Sequence, residues 1–138
     1  MNDHMAKKTV ARMLEHDLFS QWLGIEVIDV AEGYSKIKMT VRKEMVNGFG
    51  IAHGGIAFSL ADSAFAFACN SDGKVTVALD TNMSFPKVVK VGDVLIAEGK
   101  RLNQTRSTGL YFIEIKNQND ELVGVFKGTC FRTGKALE

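Results

Sequence analysis

The sequence predicts an α+β fold in which an antiparallel sheet wraps around one central buried helix, and three observations lead there. First, residues 54–71 hold a single charge, Asp62, and set Ile56, Phe58, Leu60, Phe65 and Phe67 among alanines. A helix that is apolar nearly all round belongs in a core rather than on a surface. Second, the segments on both sides of it have the alternating or continuous apolar patterns of strands. Third, turn formers separate those segments, and no linker, repeat or low-complexity stretch interrupts residues 1–138. A single domain is expected.

The elements follow in order. Residues 6–17 carry Val10, Met13 and Leu14 among charges, the pattern of a short amphipathic N-terminal helix. Residues 25–30 and 34–42 read as strands joined at Glu32-Gly33. In the second, Ile37, Met39 and Val41 face one way while Lys36, Lys38, Thr40 and Arg42 face the other. After the central helix come strands over 75–84, 94–102, 110–116 and 122–131. Pro86, Gly92-Asp93 and the stretches 103–109 and 117–120 supply the turns between them.

Composition removes several function classes. A chain of 138 residues buries roughly two-thirds of its unfolded surface. The net charge is +1, and no basic run exceeds two residues, as at Lys7-Lys8. A phosphate-binding face needs clustered cations, so nucleic acid is not an expected partner. No apolar run follows the N-terminal charges, so no secretory signal is expected. Residues 54–71 approach the length of a short membrane span, but their Gly, Ser and Asp content fits a core helix, and no membrane partner is expected. Cys69 and Cys130 have no metal-ligand spacing and read as intracellular thiols. The expected compartment is the cytoplasm.

A lone carboxylate in a buried helix calls for a partner or a task. Asp62 would cap or bond a neighbouring backbone group in the plainest case. Gly54-Gly55 upstream favours a chemical role. Two glycines at a helix start admit a ligand close to the backbone, where unpaired N–H groups and the positive end of the dipole await it. Those are the parts of an oxyanion hole, and with a carboxylate they point to acyl transfer or hydrolysis. Spacing adds a constraint. The eight residues from Gly54 to Asp62 span about 12 Å of helix, whereas both groups must lie about 3 Å from one reacting carbonyl. Two antiparallel copies of the helix solve this, one supplying Gly54 and the other Asp62, so a two-fold dimer is expected.

The pattern Asn47-Gly, His53-Gly-Gly and Phe58-Ser-Leu-Ala-Asp62, followed by Ala64-Phe-Ala and Asn70, resembles the hot-dog fold acyl-CoA thioesterases. It is most similar to the phenylacetyl-CoA thioesterase family of phenylacetate degradation. Leu23-Gly-Ile, Glu32-Gly33, Met39-Thr-Val, Val91-Gly-Asp93, Thr108-Gly-Leu-Tyr111 and Ile113-Glu-Ile115 extend the likeness, which covers residues 14–133. A bare His-Gly-Gly would be weak, but Asn, His-Gly-Gly and Ala-Asp at these intervals are specific. The resemblance implies the hot-dog fold and a dimer or dimer of dimers, commonly a homotetramer. It also implies hydrolysis of a small aromatic acyl-CoA, such as phenylacetyl-CoA or hydroxyphenylacetyl-CoA, to free acid and CoA. No metal or redox cofactor is implied, since the coenzyme A thioester is itself the substrate.

The same resemblance assigns further residues. Asn47 reads by itself as a turn former, but the matching Asn of the family lies in the active site near the thioester or the attacking water. His53 helps to shape the oxyanion loop, and a general-base role stays open because imidazole titrates near neutral pH. Gly55 and the cations Lys87, Lys90 and Arg106 are the expected contacts to coenzyme A, whose phosphates need positive charge. The chain departs from the family at Thr105, where a glycine usually precedes the basic residue, and at Ser84-Phe85 before Pro86. Ala78 stands where some relatives have a hydroxyl near the acyl group. Asp62 is expected to activate water or to attack directly, and the sequence does not separate these routes. Two rival readings are a hot-dog acyl-thioester hydratase or dehydratase and a non-catalytic acyl-CoA-binding protein. The distance of Pro86 from His53 opposes the first, and the lack of room for a DNA-binding segment opposes a regulator of the second kind.

Overall fold

Six strands form one antiparallel sheet around a single apolar helix in the computed structural model, which describes residues 3–137. The order along the chain is α1 (Asp3–His16), α2 (Leu18–Leu23), β1 (Glu26–Ala31) and β2 (Tyr34–Thr40). A short 3-10 turn (Lys43–Met45) then leads to α3 (Gly54–Cys69). β3 (Lys74–Ser84), β4 (Val94–Gln104), β5 (Thr108–Lys116) and β6 (Leu122–Ala136) complete the chain. Across the sheet the strands run β1-β2-β4-β5-β6-β3, so β1 and β3 form the edges among the described residues. After α3 the chain crosses to the far edge, where β3 pairs with β6 from Ser84↔Val125 to Lys74↔Ala136. The α+β hot-dog arrangement expected from the sequence is the one observed.

The core lies between α3 and the concave sheet face. Leu60, Phe65 and Phe67 of the helix and Ile37, Leu95, Ile113, Ile115 and Phe126 of the strands are all fully buried. Each such side chain contributes about 1.5–3 kcal/mol on leaving water. The Phe65 ring lies 5.8 Å from Tyr111 and 5.6 Å from Phe126 between centroids. That close approach depends on a glycine below it, since a Cβ on Gly128 would sit 2.8 Å from the Phe65 ring. Ser35 ties sheet to helix by donating its hydroxyl to the Ala64 carbonyl at 2.6 Å.

Several boundaries differ from the expectation. α1 begins at Asp3 rather than at residue 6, packing Ala6 and Val10 inward. α2 was not expected. Asp17 caps it by accepting the Ser20 N–H at 3.0 Å, and Gly24 ends it in the left-handed region at φ 78°. β2 stops at Thr40 because the next pair is only half made: the Val41 N–H still reaches the Asp93 carbonyl, but the Asp93 N–H turns to the Lys90 carbonyl instead of returning to Val41. β4 and β5 run further into the 103–109 stretch, leaving a turn of residues 105–107, where the Thr105 hydroxyl accepts the Thr108 N–H at 2.9 Å. The larger correction concerns α3. It is not apolar all round: Gly55 and Asp62 are exposed and Ser59 is half-buried. Their spacings of four and three residues put them on one open face.

Candidate active site

α3 starts where His53 leaves the loop in extended conformation and accepts the Gly55 N–H on Nδ1 at 2.9 Å. The His53 carbonyl takes the Ile56 N–H at 2.9 Å, and the His53 N–H is itself donated to the Met45 carbonyl at 2.8 Å. Two of the first-turn donors are thus satisfied. Gly54 is different: the residue is exposed, and its N–H has no acceptor among the described residues. It stands at the positive end of a sixteen-residue helix, where an anionic oxygen is stabilised. Packing within the chain does not demand glycine there, because a Cβ on Gly54 would meet the Phe85 ring at an ordinary 3.6 Å. With Nδ1 occupied as an acceptor, neutral His53 carries its proton on Nε2. To accept a proton it would have to give up the cap. This geometry suits His53 to shaping the loop rather than to general-base work.

Asn47, His53, Gly54 and Lys87 line one cavity of about 210 Å³, together with Phe85, Val88 and other apolar groups. The loop that carries Asn47 is fastened locally. Its Oδ1 accepts the Phe49 N–H at 2.8 Å, and its N–H reaches the Ile51 carbonyl at 2.7 Å. The Ala52 N–H ties the loop to Val89 at 2.8 Å. The Asn47 amide nitrogen keeps no hydrogen bond among the described residues, so a donor remains in the cavity wall. Lys87 pairs with Glu121, whose carboxyl is held below the usual range by that ammonium and by Asn117. Lys90 and Lys87 border a neighbouring cavity of about 340 Å³. Arg106 is not brought to this group. It lies in the β4–β5 turn, at the opposite end of eleven-residue β4 from Lys90, on the order of 30 Å away.

Gly55 faces a second opening of about 380 Å³, shared with His53, Ser59, Phe19 and Trp22. Asp62 lies in a third, of about 160 Å³, between α2 and α3. Ser59 and Phe19 line both, so the two openings adjoin on the open face of α3. Within one chain Asp62 is exposed, which corrects the expectation of a buried carboxylate. Its environment is still that of a perturbed acid. The protein mass around the carboxyl thins its hydration, and the neighbouring Asp17 charge repels it, so its pKa rises above the ordinary value. Gly54 and Asp62 therefore occupy separate recesses on one helix, as their spacing requires.

The sequence reading missed the α2 residues Asp17, Ser20, Phe19 and Trp22. Phe19 and Trp22 stack with centroids 6.1 Å apart, and the Arg42 guanidinium sits 4.9 Å over Trp22. An Asp at position 17 and a Gly at position 24 bracket the six-residue helix, and those caps were the available signal. Among the described residues, no group of three or more His, Cys, Asp or Glu is placed to hold a metal ion. No described helix is long and apolar enough to cross a membrane.

Comparison with known proteins places this geometry in context. The thioesterase superfamily matches residues 49–124, more than half of the chain. The acyl-coenzyme A thioesterase PaaI of Escherichia coli is 41% identical over 97% of this chain and 96% of its own length. The solved structure of the E. coli PaaI protein from the phenylacetic acid degradation operon has a TM-score of 0.96 at 40% identity, covering 99% of each chain. A Streptococcus mutans protein bound to acetyl CoA has a TM-score of 0.78 at 28% identity, over 81% of this chain and 90% of that one.

Proposed function

The chain belongs to the thioesterase superfamily, and on that premise we propose that it hydrolyses a small aromatic acyl-CoA, of the phenylacetyl-CoA or hydroxyphenylacetyl-CoA kind, to the free acid and coenzyme A. The observation that carries this reading is the unpaired Gly54 N–H, opening at a helix N-terminus into a cavity that Asn47, His53 and Lys87 also line. A thioester carbonyl seated there gains a donor aimed at the oxygen on which charge develops. Asp62 then comes from a second copy of the chain, since about 12 Å of helix separates it from Gly54 in one copy. The carboxylate takes a proton from water as the water oxygen bonds to the carbonyl carbon. In the other route it attacks that carbon itself to form an anhydride that water opens. In both, the C–S bond breaks and the thiolate of coenzyme A leaves and is protonated. No metal or redox cofactor is needed for either.

The same reading makes the working species a dimer or a dimer of dimers. It is supported by the edge strand β3, eleven residues long, whose Val77 and Leu79 are exposed. Lys87 lines the cavity that holds Gly54, Lys90 borders the neighbouring one, and both suit the phosphates of coenzyme A. Arg106 serves that nucleotide only when another protomer brings it across. We place the protein in the cytoplasm, where acyl-CoA is available. The test is turnover of phenylacetyl-CoA followed by release of free thiol, with palmitoyl-CoA as comparison. A higher kcat/KM for phenylacetyl-CoA is expected. No thiol release from either substrate would overturn the hydrolase reading, and a clear palmitoyl preference would overturn the aromatic one.

A further inference from the structure

The recess that holds Asp62 is walled by a second carboxylate. Asp17, the N-cap of α2, lines it from one side and Asp62, on α3, from the other, with Ser20, Ser63 and Phe58 between and around them. Asp17 cannot swing away, because both of its oxygens are engaged. One accepts the Ser20 N–H at 3.0 Å and the other accepts the Ser20 hydroxyl. That hydroxyl meets the Ser63 hydroxyl at 2.8 Å in a buried contact, which joins α2 to the residue next to Asp62. A cap is ordinarily indifferent between Asp and Asn, and Ser serves almost as well. What distinguishes Asp at this position is a fixed negative charge facing a carboxylate.

Resting on the thioesterase reading above, we propose that Asp17 is a positioning residue for Asp62: its charge, fixed by the α2 cap and facing the same recess, makes the Asp62 carboxylate a better proton acceptor than it would be alone. The mechanism is electrostatic. Two carboxylates that share a small recess cannot both ionise as easily as one alone, and the harder-pressed group binds its proton more tightly. A carboxylate that holds a proton more tightly also removes one from water more effectively, by Brønsted behaviour. The other groups around Asp62 do not oppose this. On α3 the flanking Ser59 and Ser63 are neutral, and the free Cys69 thiol further along is kept protonated by a hydrogen bond with the Cys130 thiol and by burial. From α2 the remaining side chains in the recess are Phe19 and Ser20. From the sheet, Phe126 reaches the recess only through its ring contact with Phe58, at 5.5 Å. Among the described residues, the lining of the recess holds no cation.

Asp17→Asn removes the charge and keeps the cap bond, because the amide oxygen still accepts the Ser20 N–H, while the Ser20 hydroxyl loses its acceptor on residue 17. Asp17→Ser removes the charge with a different capping side chain and guards against a variant that misfolds. Two readouts apply to both: the acid limb of kcat/KM for phenylacetyl-CoA, and direct titration of the Asp62 carboxyl by 13C NMR. In each variant the Asp62 midpoint and the acid limb are expected to move to lower pH together, with the plateau rate falling roughly 2- to 10-fold. A purely structural cap would lower thermal stability and leave both midpoints where they are. An unmoved Asp62 midpoint in a folded variant overturns this inference and leaves the thioesterase reading intact. Absence of thioester turnover in the unaltered protein overturns the reading, and the NMR midpoint then still decides whether Asp17 acts on Asp62.

Discussion

Asp62 works against folding at neutral pH. Its carboxyl ionises less readily in the folded chain than in the unfolded one, through desolvation first and the Asp17 charge second. Below the ordinary carboxylate range both states hold the proton and the residue is neutral for stability. As pH rises past the unfolded value, the unfolded chain releases its proton first, so stability falls until the folded carboxyl has ionised too. Asp62→Asn removes that penalty. Thermal melts should show the variant and the parent converging in acid, with the variant more stable at neutral pH; a less stable variant at pH 7 would mean that the carboxylate is a structural partner. The same substitution should cut kcat by about 10²–10⁴-fold if Asp62 is base or nucleophile. Gly54→Ala is the complementary case. The chain has room for the methyl, so melting should change little. A carbonyl docking against the Gly54 N–H would meet that methyl, and kcat/KM should fall by about 10²–10³-fold. Wild-type turnover in Gly54→Ala would remove the oxyanion assignment. That His53 and Gly54 sit together was legible in the sequence because they form a contiguous motif, whereas Asn47 reads by itself as a turn former and was expected beside them only through the family resemblance. The exposure of Asp62 was not, because hydropathy averages over a helix and hides an open face only three residues deep.

At the scale of elements, the strands were readable because their alternation spans enough residues to fix a face, as at Ile37, Met39 and Val41. α2 was not, since six residues complete fewer than two turns and never establish a period. That short helix nevertheless decides much about the site, carrying Asp17 into the Asp62 recess and Phe19 and Trp22 onto the opening beside Gly55. Which cations share a mouth was equally unreadable. The length of β4 sends Lys90 and Arg106 to opposite ends of the sheet, whereas the pairing of Lys87 with Glu121 beside Lys90 appears only in the folded chain. The fit of α3 on the sheet turns on small residues beneath large ones. Gly128 lies directly under Phe65, where an added Cβ would come within 2.8 Å of a ring packed against Tyr111 and Phe126. Gly128→Ala should cost about 1–3 kcal/mol by overpacking, measured by denaturant unfolding. Phe65→Leu in the same chain, by withdrawing the ring edge, should restore part of that loss. Full stability in the single variant would show that α3 can lift from the sheet without penalty.

For the molecule as a whole, the separation of Gly54 from Asp62 is the fact that any mechanism has to answer. Neither residue can migrate to the other, since one is fixed by the His53 cap and the other lies two turns along the same helix. The chain also leaves apolar surface at its edge: Val77 and its β6 neighbour Phe131 are 48% and 40% exposed, and Leu79 beside them is 60% exposed. An edge strand with uncovered apolar groups is a surface that invites another copy. If a two-fold pair forms the site, each of its two centres draws Gly54 from one chain and Asp62 from the other. Variants at the two positions should then complement. Gly54→Ala and Asp62→Asn chains, each nearly inactive alone, should regain about a quarter of the parental rate when refolded together in equal amounts. Half of the pairs formed at random would be mixed, and each mixed pair would hold one intact centre out of two. A site built within one chain gives no such recovery, because every chain in the mixture then lacks one of the two groups. Light scattering on the same samples provides the companion reading, and a fully active monomer would rule out the shared site directly.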